Sequence, residues 1–204
     1  MVFLVGLGKL IKRIWKKKNT MDALTLLTQR KSNKKLTAPA PSQVQLEQMF
    51  QAALRAPDHG KLEPYHFVVM QGTGLSKLEG LLKAAVSEFD LGEERLKKAE
   101  NFARRAPMVI AVIAKINHEV AKVPGWEQML TAGAATYAIQ LAGNALGFES
   151  FWATGPLVEG RELREAFGCG KNDKIVALLQ IGTAAEKLER DCKPKDLSRF
   201  VSHL

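Results

Sequence analysis

Cysteine is scarce in this sequence of 204 residues, and its arrangement indicates no metal site. The two cysteines, Cys169 and Cys192, form no CxxC pair, and neither a cluster of cysteine and histidine nor an HExxH motif occurs. A zinc site is therefore not expected. A disulfide between the two thiols stays open, but the pattern favours free thiols in a reducing compartment, and we expect a cytoplasmic protein.

The motifs that define several large enzyme classes are also absent. No apolar run approaches the ~18 residues that cross a bilayer. No GxGxxG follows the first predicted strand and no GxxxxGK[ST] occurs, so neither a Rossmann dinucleotide site nor a P-loop NTPase is indicated. No nucleophile elbow or Ser/His/Asp arrangement is visible. An enzyme without acid–base machinery is often one whose cofactor performs the chemistry.

Positive charge is concentrated at the amino terminus. The formal net charge is +9, but residues 1–20 hold six lysines and arginines and no acid, which leaves +3 for the remainder. Because the body of the protein is only mildly basic, we do not expect it to bind nucleic acid directly.

Residues 1–20 are interpreted as a basic extension in front of a single domain that spans residues 21–204. The order of apolar and basic segments in this extension is wrong for a signal peptide. Two interpretations stay open. The extension is disordered, which we favour, or it forms an amphipathic helix that lies on anionic lipid with Trp15 inward and its lysines outward.

Helical and strand patterns alternate through the rest of the chain. Asp22 can cap a short helix that ends near Arg30, and Ser42 with Gln45 forms a capping box for a second helix. The run MVIAVIA is apolar on both faces, as in a central strand covered by helices on each side. These patterns predict an α+β fold of layers around one sheet. Further strands are predicted at residues 65–70, 149–153 and 175–181, with HFVVM buried, and further helices at 75–89, 93–103, 124–146 and 159–167.

The first candidate site is Arg30-Lys31-Ser32, at the end of the first helix. Arginine can hold a phosphate through its bidentate fork, lysine acts as a point charge and serine is a neutral donor. Basic side chains at this position also complement a helix dipole, so the sequence alone leaves a purely structural role open.

Three further segments carry polar or aromatic groups beside predicted strands and helices. In the loop RAPDHGKLEPY, His59 could donate to a carbonyl or phosphate, or it is a turn histidine. Glu127, at the start of the long helix, suits the positive helix end. The strand end FWATG could present backbone groups to a flat ring, or Trp152 belongs to the core.

Taken in order, these segments resemble the nitroreductase family of FMN enzymes, and within it a short bacterial branch of NAD(P)H nitroreductases. The resemblance covers residues 21–185. It is carried by seven segments in family order: MDALTLLTQRKSNKKL, RAPDHGKLEPYHFVVMQG, RAPMVIAVIAKI, VPGWEQMLTAGAA, LGFESFWATGP, REAFG and KIVALLQIGT.

The resemblance implies a mixed central sheet flanked by helices, in a homodimer with two FMN sites at the interface. No catalytic side chain is implied, because FMN carries the chemistry. Arg30, Lys31 and Ser32 would hold the phosphate and ribityl region. The other implied contacts are Arg55 and His59 from the partner subunit, Trp152, Ala153 and Thr154 near the ring, and, for the nicotinamide nucleotide, Ala142, Gly143, Asn144, Ala145, Leu146 and Gly147.

The sequence departs from the family pattern at four of these or neighbouring positions. Lys31 stands where a second arginine is usual, Glu63 and Tyr65 replace glutamine and tryptophan, and Ala153 replaces an arginine of the close relatives. The implied activity is electron transfer from NAD(P)H through FMN to a nitroaromatic, quinone or similar small acceptor. The alternative is a non-catalytic or degenerate flavin-binding protein that its basic arm recruits to a membrane surface or nucleic acid.

Overall fold

The computed structural model describes residues 22–186 and 195–204, so the predicted extension at residues 1–20 lies outside the described residues. The described residues form six α-helices, five strands and two 3₁₀ turns, the turns at His59–Lys61 and Pro156–Glu159. The helices are α1 (Ala23–Gln29), α2 (Gln43–Ala53), α3 (Thr73–Glu88), α4 (Gly92–Arg104), α5 (Gly125–Ala145) and α6 (Arg161–Ala166). The strands are β1 (Leu36–Thr37), β2 (Tyr65–Gln71), β3 (Met108–Ala114), β4 (Glu149–Ala153) and β5 (Lys174–Ala184).

The five strands form one sheet in which every strand pair is antiparallel. β5 lies between β3 and β4, β2 continues the sheet beyond β3, and β1 pairs with the last two residues of β5. Parallel pairing is limited, within the described residues, to an isolated bridge between Ser32 and Ser150. The predicted α+β class is confirmed. The mixed sheet that the resemblance implies is wrong for the described strands, which all pair antiparallel.

The central strand β3 explains why helices cover both faces of the sheet. All seven of its residues are completely buried. Val109, Ala111 and Ile113 pack against α3, α4 and α6, whereas Met108, Ile110 and Val112 pack against α2 and α5. A strand whose two faces are both apolar needs an apolar layer on each side, as the sequence predicts.

The burial predicted for β2 is wrong. The strand forms, but only Met70 is buried, and Val69 is 36% exposed. Within the described residues β2 pairs with β3 alone, so it is an edge strand and one of its sides has no neighbouring strand. The rings of Tyr65 and Phe67 on β2 and of Phe50 on α2 stack in sequence, partly buried against the core between the sheet and α2 and α5.

The helix ends follow the local signals in the sequence. The Asp22 carboxylate accepts a hydrogen bond of 2.9 Å from the Thr25 backbone, and α1 ends at Arg30. Ser42 and Gln45 form the full capping box. β5 runs past its predicted end because β1, which the sequence does not predict, pairs with Thr183 and Ala184.

The candidate site lies where the chain that follows α1 runs beside β4. The chain leaves α1 at Arg30, runs beside β4 through the Ser32–Ser150 bridge and joins the sheet at β1.

Among the residues that the structure describes, no helix is long and apolar enough to cross a membrane.

Candidate flavin site

The segment after α1 is fixed to β4 by Asn33. Its side chain is buried, its backbone N–H donates to the Ser150 carbonyl over 3.0 Å, and its amide donates to the Glu149 carboxylate. The Asn33 side-chain oxygen in turn accepts from the Lys35 N–H at 2.8 Å. These three contacts hold the main chain of Arg30-Lys31-Ser32 in place. Sequence reasoning missed Asn33, because its partners lie more than a hundred residues away.

Arg30 carries a buried donor without a partner. Its Nη1 atom is buried and makes no hydrogen bond to any part of the chain that the structure describes. Its guanidinium carbon lies 5.7 Å from the centre of the Tyr137 ring on α5, in a cation–π arrangement. A buried, unpaired guanidinium N–H is costly unless an anion or another acceptor meets it. Arg30 is therefore suited to bind a phosphate.

A cavity of about 380 Å³ lies between α4 and the chain that follows β4. Two of the residues expected near the flavin ring, Ala153 and Thr154, line it. Gly155 lines it as well, with φ +132°, a conformation that residues other than glycine rarely adopt. The sequence expectation that the end of β4 faces a ligand is thus matched by a cavity at that place.

Trp152, the third residue expected near the ring, has a structural hydrogen bond. Its Nε1–H donates to the Val176 carbonyl over 3.0 Å, and its side chain packs against the core between the sheet and α2 and α5. Trp152 does not line the cavity itself. Within this chain it fixes β4 to β5 beside Ala153.

Four cations at this cavity were not found from the sequence. Lys34 lies with its Nζ 4.7 Å from the centre of the Phe151 ring, and Arg95, Lys98 and Arg105 approach from α4. Arg95, Lys98 and Arg105 follow one another at intervals of three and seven residues, which place side chains on the same face of a helix. A search for a cationic helix face could therefore have found these three residues. Only the fold shows that this face meets the end of β4.

Arg55 and His59 lie in a different part of the surface. Both are exposed, and His59 Nδ1 is 2.6 Å from Oε2 of Glu127 at the start of α5. His59 and Glu127 line a separate cavity of about 340 Å³, together with Thr131. Within the described chain this loop therefore does not share the cavity of Ala153 and Thr154.

Two of the positions that depart from the family pattern lie in the same loop. The Asp58 carboxylate accepts a hydrogen bond of 2.7 Å from the Glu63 backbone N–H. Burial raises the pKa of the Tyr65 hydroxyl, and the neighbouring carboxylates of Glu63 and Asp58 add to this shift. Tyr65 is thus neutral at physiological pH, and its ring packs against Phe67.

The six residues from Ala142 to Gly147 end α5. The N–H of Phe148 donates to the Gly143 carbonyl at 2.8 Å and that of Gly147 to the Asn144 carbonyl at 3.0 Å, the two bonds of a Schellman motif. Gly147 has φ +91°, as this motif requires. Gly143 is buried, and only Ala145 and Gly147 of the six are exposed. The assignment of this stretch to the nicotinamide nucleotide stays a prediction.

An exposed apolar face of α5 connects the two regions. Trp126 and Leu130 are 60% and 61% exposed, and Met129 and Tyr137 continue the same helix surface. Glu127, the partner of His59, lies at one end of α5, and Tyr137, which lies against Arg30, is found further along. We call Trp126, Met129, Leu130 and Tyr137 the α5 face. Large apolar side chains grouped on one helix are typical of a contact with another protein surface.

Comparison with known proteins gives concordant results. The model of the nitroreductase family matches residues 27–183. A Haemophilus influenzae protein named "Putative NAD(P)H nitroreductase" is 65% identical over 184 residues, 90% of this chain and all of that protein. The Escherichia coli K12 protein named "Putative NAD(P)H nitroreductase YdjA" is 40% identical, with coverage of 90% and 100%.

Solved structures show the same fold. The FMN- and NADPH-dependent nitroreductase NfnB from Sphigopyxis sp. strain HMH superposes with a TM-score of 0.73. The match covers 90% of this chain and 99% of that one, at 18% identity. The nitroreductase-like arrangement of sheet and helices that the sequence resemblance implies is therefore confirmed.

Proposed function

The chain belongs to the nitroreductase family, and we propose that it is an FMN-dependent NAD(P)H oxidoreductase that reduces a nitroaromatic, quinone or similar small acceptor. One observation carries the proposal. Arg30 directs a buried, unpaired guanidinium N–H from the segment beside β4, and the end of β4 lines a cavity. An arginine suited to bind an anion, on the segment that runs beside β4, and a cavity with an apolar floor at the end of the same strand fit a cofactor with a phosphate and a flat ring.

Arg30, Lys31 and Ser32 are proposed to hold the FMN phosphate and ribityl chain. Arg30 supplies the charged donor, and Asn33 keeps the segment at a fixed distance from β4. Lys31 keeps the charge of the arginine usual in the family without its bidentate fork. The residues present therefore fit a phosphate group, with Arg30 as the principal contact.

The flavin ring is proposed to lie at the end of β4, against the side of the cavity that Ala153 and Thr154 line, which leaves the side at α4 open to a second ligand. The cavity volume of about 380 Å³ falls in the range of small-molecule sites. Bound there, FMN would supply the chemistry of hydride transfer from NAD(P)H and electron transfer to the acceptor. Lys34 contributes positive charge to the cavity, which stabilises negative charge that develops on a bound group.

A homodimer is proposed to complete the site. The α5 face is apolar and exposed in one chain, and a second copy packed on it would cover that surface. Arg55 and His59, which lie on the surface away from Ala153, would then reach the flavin of the other copy. Glu127 would hold His59 in position through their 2.6 Å contact.

A non-catalytic flavin-binding role is the alternative, and the departures at Lys31 and Ala153 motivated it. Lys34 weighs against this alternative, because it supplies a cation to the cavity at which Ala153 lacks one. We propose a cytoplasmic location, where NAD(P)H is available as a reductant. Within the described residues Cys169 forms no disulfide, which is consistent with a reducing compartment.

An absorbance spectrum of the purified protein, before and after anaerobic NADH or NADPH, tests the proposed function. We expect flavin bands in the visible range that bleach with at least one of the two nucleotides. A protein that stays colourless after incubation with FMN contradicts the proposed cofactor. A bound flavin that neither nucleotide bleaches contradicts the proposed reaction and supports the non-catalytic alternative.

A further inference from the structure

We propose that the cavity beside β4 binds an anionic group of a second ligand, a carboxylate or phosphate carried by the electron acceptor or the electron donor. This inference rests on the proposed function and adds a ligand class to it. The residues that carry it are Lys34, Arg95, Lys98 and Arg105, which line the cavity.

The charge of the cavity has one sign. Four of its lining residues are cations, and no aspartate or glutamate lines it. Arg95 and Lys98 lie on α4, Arg105 caps the end of that helix, and Lys34 comes from the segment beside β4. Like charges grouped around a cavity repel one another, and an anionic ligand relieves that repulsion.

The acids of α4 are engaged in other contacts. Glu94 pairs with Lys98 one helical turn away, and Glu100 pairs with Lys83 of α3 at 3.1 Å. Lys98 is therefore partly neutralised. The positive charge that stays available at the cavity belongs mainly to Arg95, Arg105 and Lys34.

Two neighbouring arginines show the difference between a structural and an available guanidinium. Arg104 donates to Glu79 through both Nε and Nη2, each at 3.2 Å. Arg105 and Arg95 both line the cavity. Neither arginine forms a salt bridge within the part of the chain that the structure describes. A guanidinium recognises a carboxylate or phosphate through two parallel hydrogen bonds, so Arg95 and Arg105 suit an anionic ligand.

The phosphate of FMN has a different place in the proposed site. Arg30, Lys31 and Ser32 do not line this cavity. The floor of the cavity is apolar and includes Leu82, Leu157 and Leu178. A second ligand that enters beside the flavin ring, on the side of the cavity at α4, would meet this apolar floor and the cations at its rim. These surroundings suit an aromatic acid better than a neutral aromatic compound.

Matched probes that differ in charge test the inference. The pair is 4-nitrobenzoate and 4-nitrobenzamide, and the measurements are equilibrium dialysis against the oxidised protein and kcat/KM in the presence of NADPH or NADH. The test variant is Arg95→Gln with Arg105→Gln. The control is Lys97→Gln with Lys171→Gln, which removes the same charge from exposed positions outside the cavity.

We expect the wild-type protein and the control to bind the benzoate at least about 10-fold more tightly than the benzamide, and the test variant to lose this ratio. If the anion belongs to the donor instead, the test variant loses a preference of similar size for NADPH over NADH. Either result supports an anion site, and the two results distinguish its source.

Two results overturn the inference. One is that both ratios are unchanged in the test variant. The other is that FMN binds more weakly and both probes lose kcat/KM equally, since the cations then serve the cofactor. If the purified protein holds no flavin and takes up none, the proposed function fails. Dialysis of the two probes, and of NADPH and NADH, against that protein still decides the inference, because equal binding within both pairs contradicts it.

Discussion

Arg30 and His59 are both expected at the same flavin, yet the chain holds them in different ways. Arg30 follows a helix, and its neighbours are fixed to β4 by the buried side chain of Asn33. Its own guanidinium is partly buried against Tyr137. His59 lies in an exposed loop, and its side chain contacts the carboxylate of Glu127.

The difference indicates which half of the site a single chain can complete. The region of Arg30 and Asn33 is organised by long-range hydrogen bonds before any ligand binds. The region of His59 lacks a second wall in one chain, and the exposed α5 face adjoins it. We therefore expect substitutions in the first region to have larger effects on flavin affinity than substitutions in the second.

The largest effect is expected for Arg30→Ala. This change removes the buried charged donor, and charge-assisted hydrogen bonds contribute enough that the Kd for FMN should rise roughly 100-fold. Quenching of flavin fluorescence on titration of the protein into FMN measures the Kd. Arg161→Ala is the control, because the exposed side chain of Arg161 pairs, among the described residues, with Glu162 and Glu165 of its own helix. Equal affinity of the two variants would contradict the role of Arg30.

Asn33→Ala tests whether the segment is organised in advance. The change leaves the Glu149 carboxylate and the Lys35 N–H without their partner, so the free energy of unfolding should fall by about 1–3 kcal/mol. Flavin affinity should fall about 10-fold, since the main chain of Ser32 loses its fixed position. Urea denaturation followed by circular dichroism measures the first effect. A loss of stability with unchanged FMN affinity would show that Asn33 serves the fold alone.

The loop region should respond more weakly. Arg55→Ala with His59→Ala removes two exposed side chains, and we expect a Kd for FMN roughly 5-fold higher, with the stability of the protein nearly unchanged. Thermal unfolding of the FMN-free and FMN-bound variant measures both quantities. A loss larger than that of Arg30→Ala would reverse the comparison between the two regions.

The smallest effect is expected for Glu127→Gln. The glutamine keeps a hydrogen-bond acceptor for His59 but removes the negative charge of the carboxylate. Because the His59 side chain is largely exposed, the pair contributes little, and the Kd for FMN should change no more than about 3-fold. Isothermal titration calorimetry with FMN resolves a change of this size. An effect as large as that of the double variant would mean that Glu127 itself contacts the ligand.

Local signals in the sequence predicted much of the fold. The caps at Asp22 and at Ser42 with Gln45 depend on residues within one helical turn, and the structure contains both. The double-sided apolar pattern of β3 depends on the strand itself and predicted its central position. These features need no knowledge of distant parts of the chain.

Features that depend on distant residues were missed or wrong. The exposure of β2 follows from its place at the edge of the sheet, which its apolar sequence does not reveal. Asn33 acquires its role only when residues 149 and 150 lie beside it. Likewise, the cations Arg95 and Arg105 become part of a candidate site only because α4 packs against the chain after β4.

A heterodimer of two variants tests most directly the claim that each flavin site is shared between two copies. Chains carrying Arg30→Ala are co-expressed with chains carrying Arg55→Ala and His59→Ala, each with a different tag, and the heterodimer is isolated. If sites are shared, one site of the heterodimer holds both defects and the other is intact, so one FMN should bind with wild-type affinity and one very weakly. If each site belongs to a single chain, no site is intact. A heterodimer without any site of wild-type affinity would contradict the account.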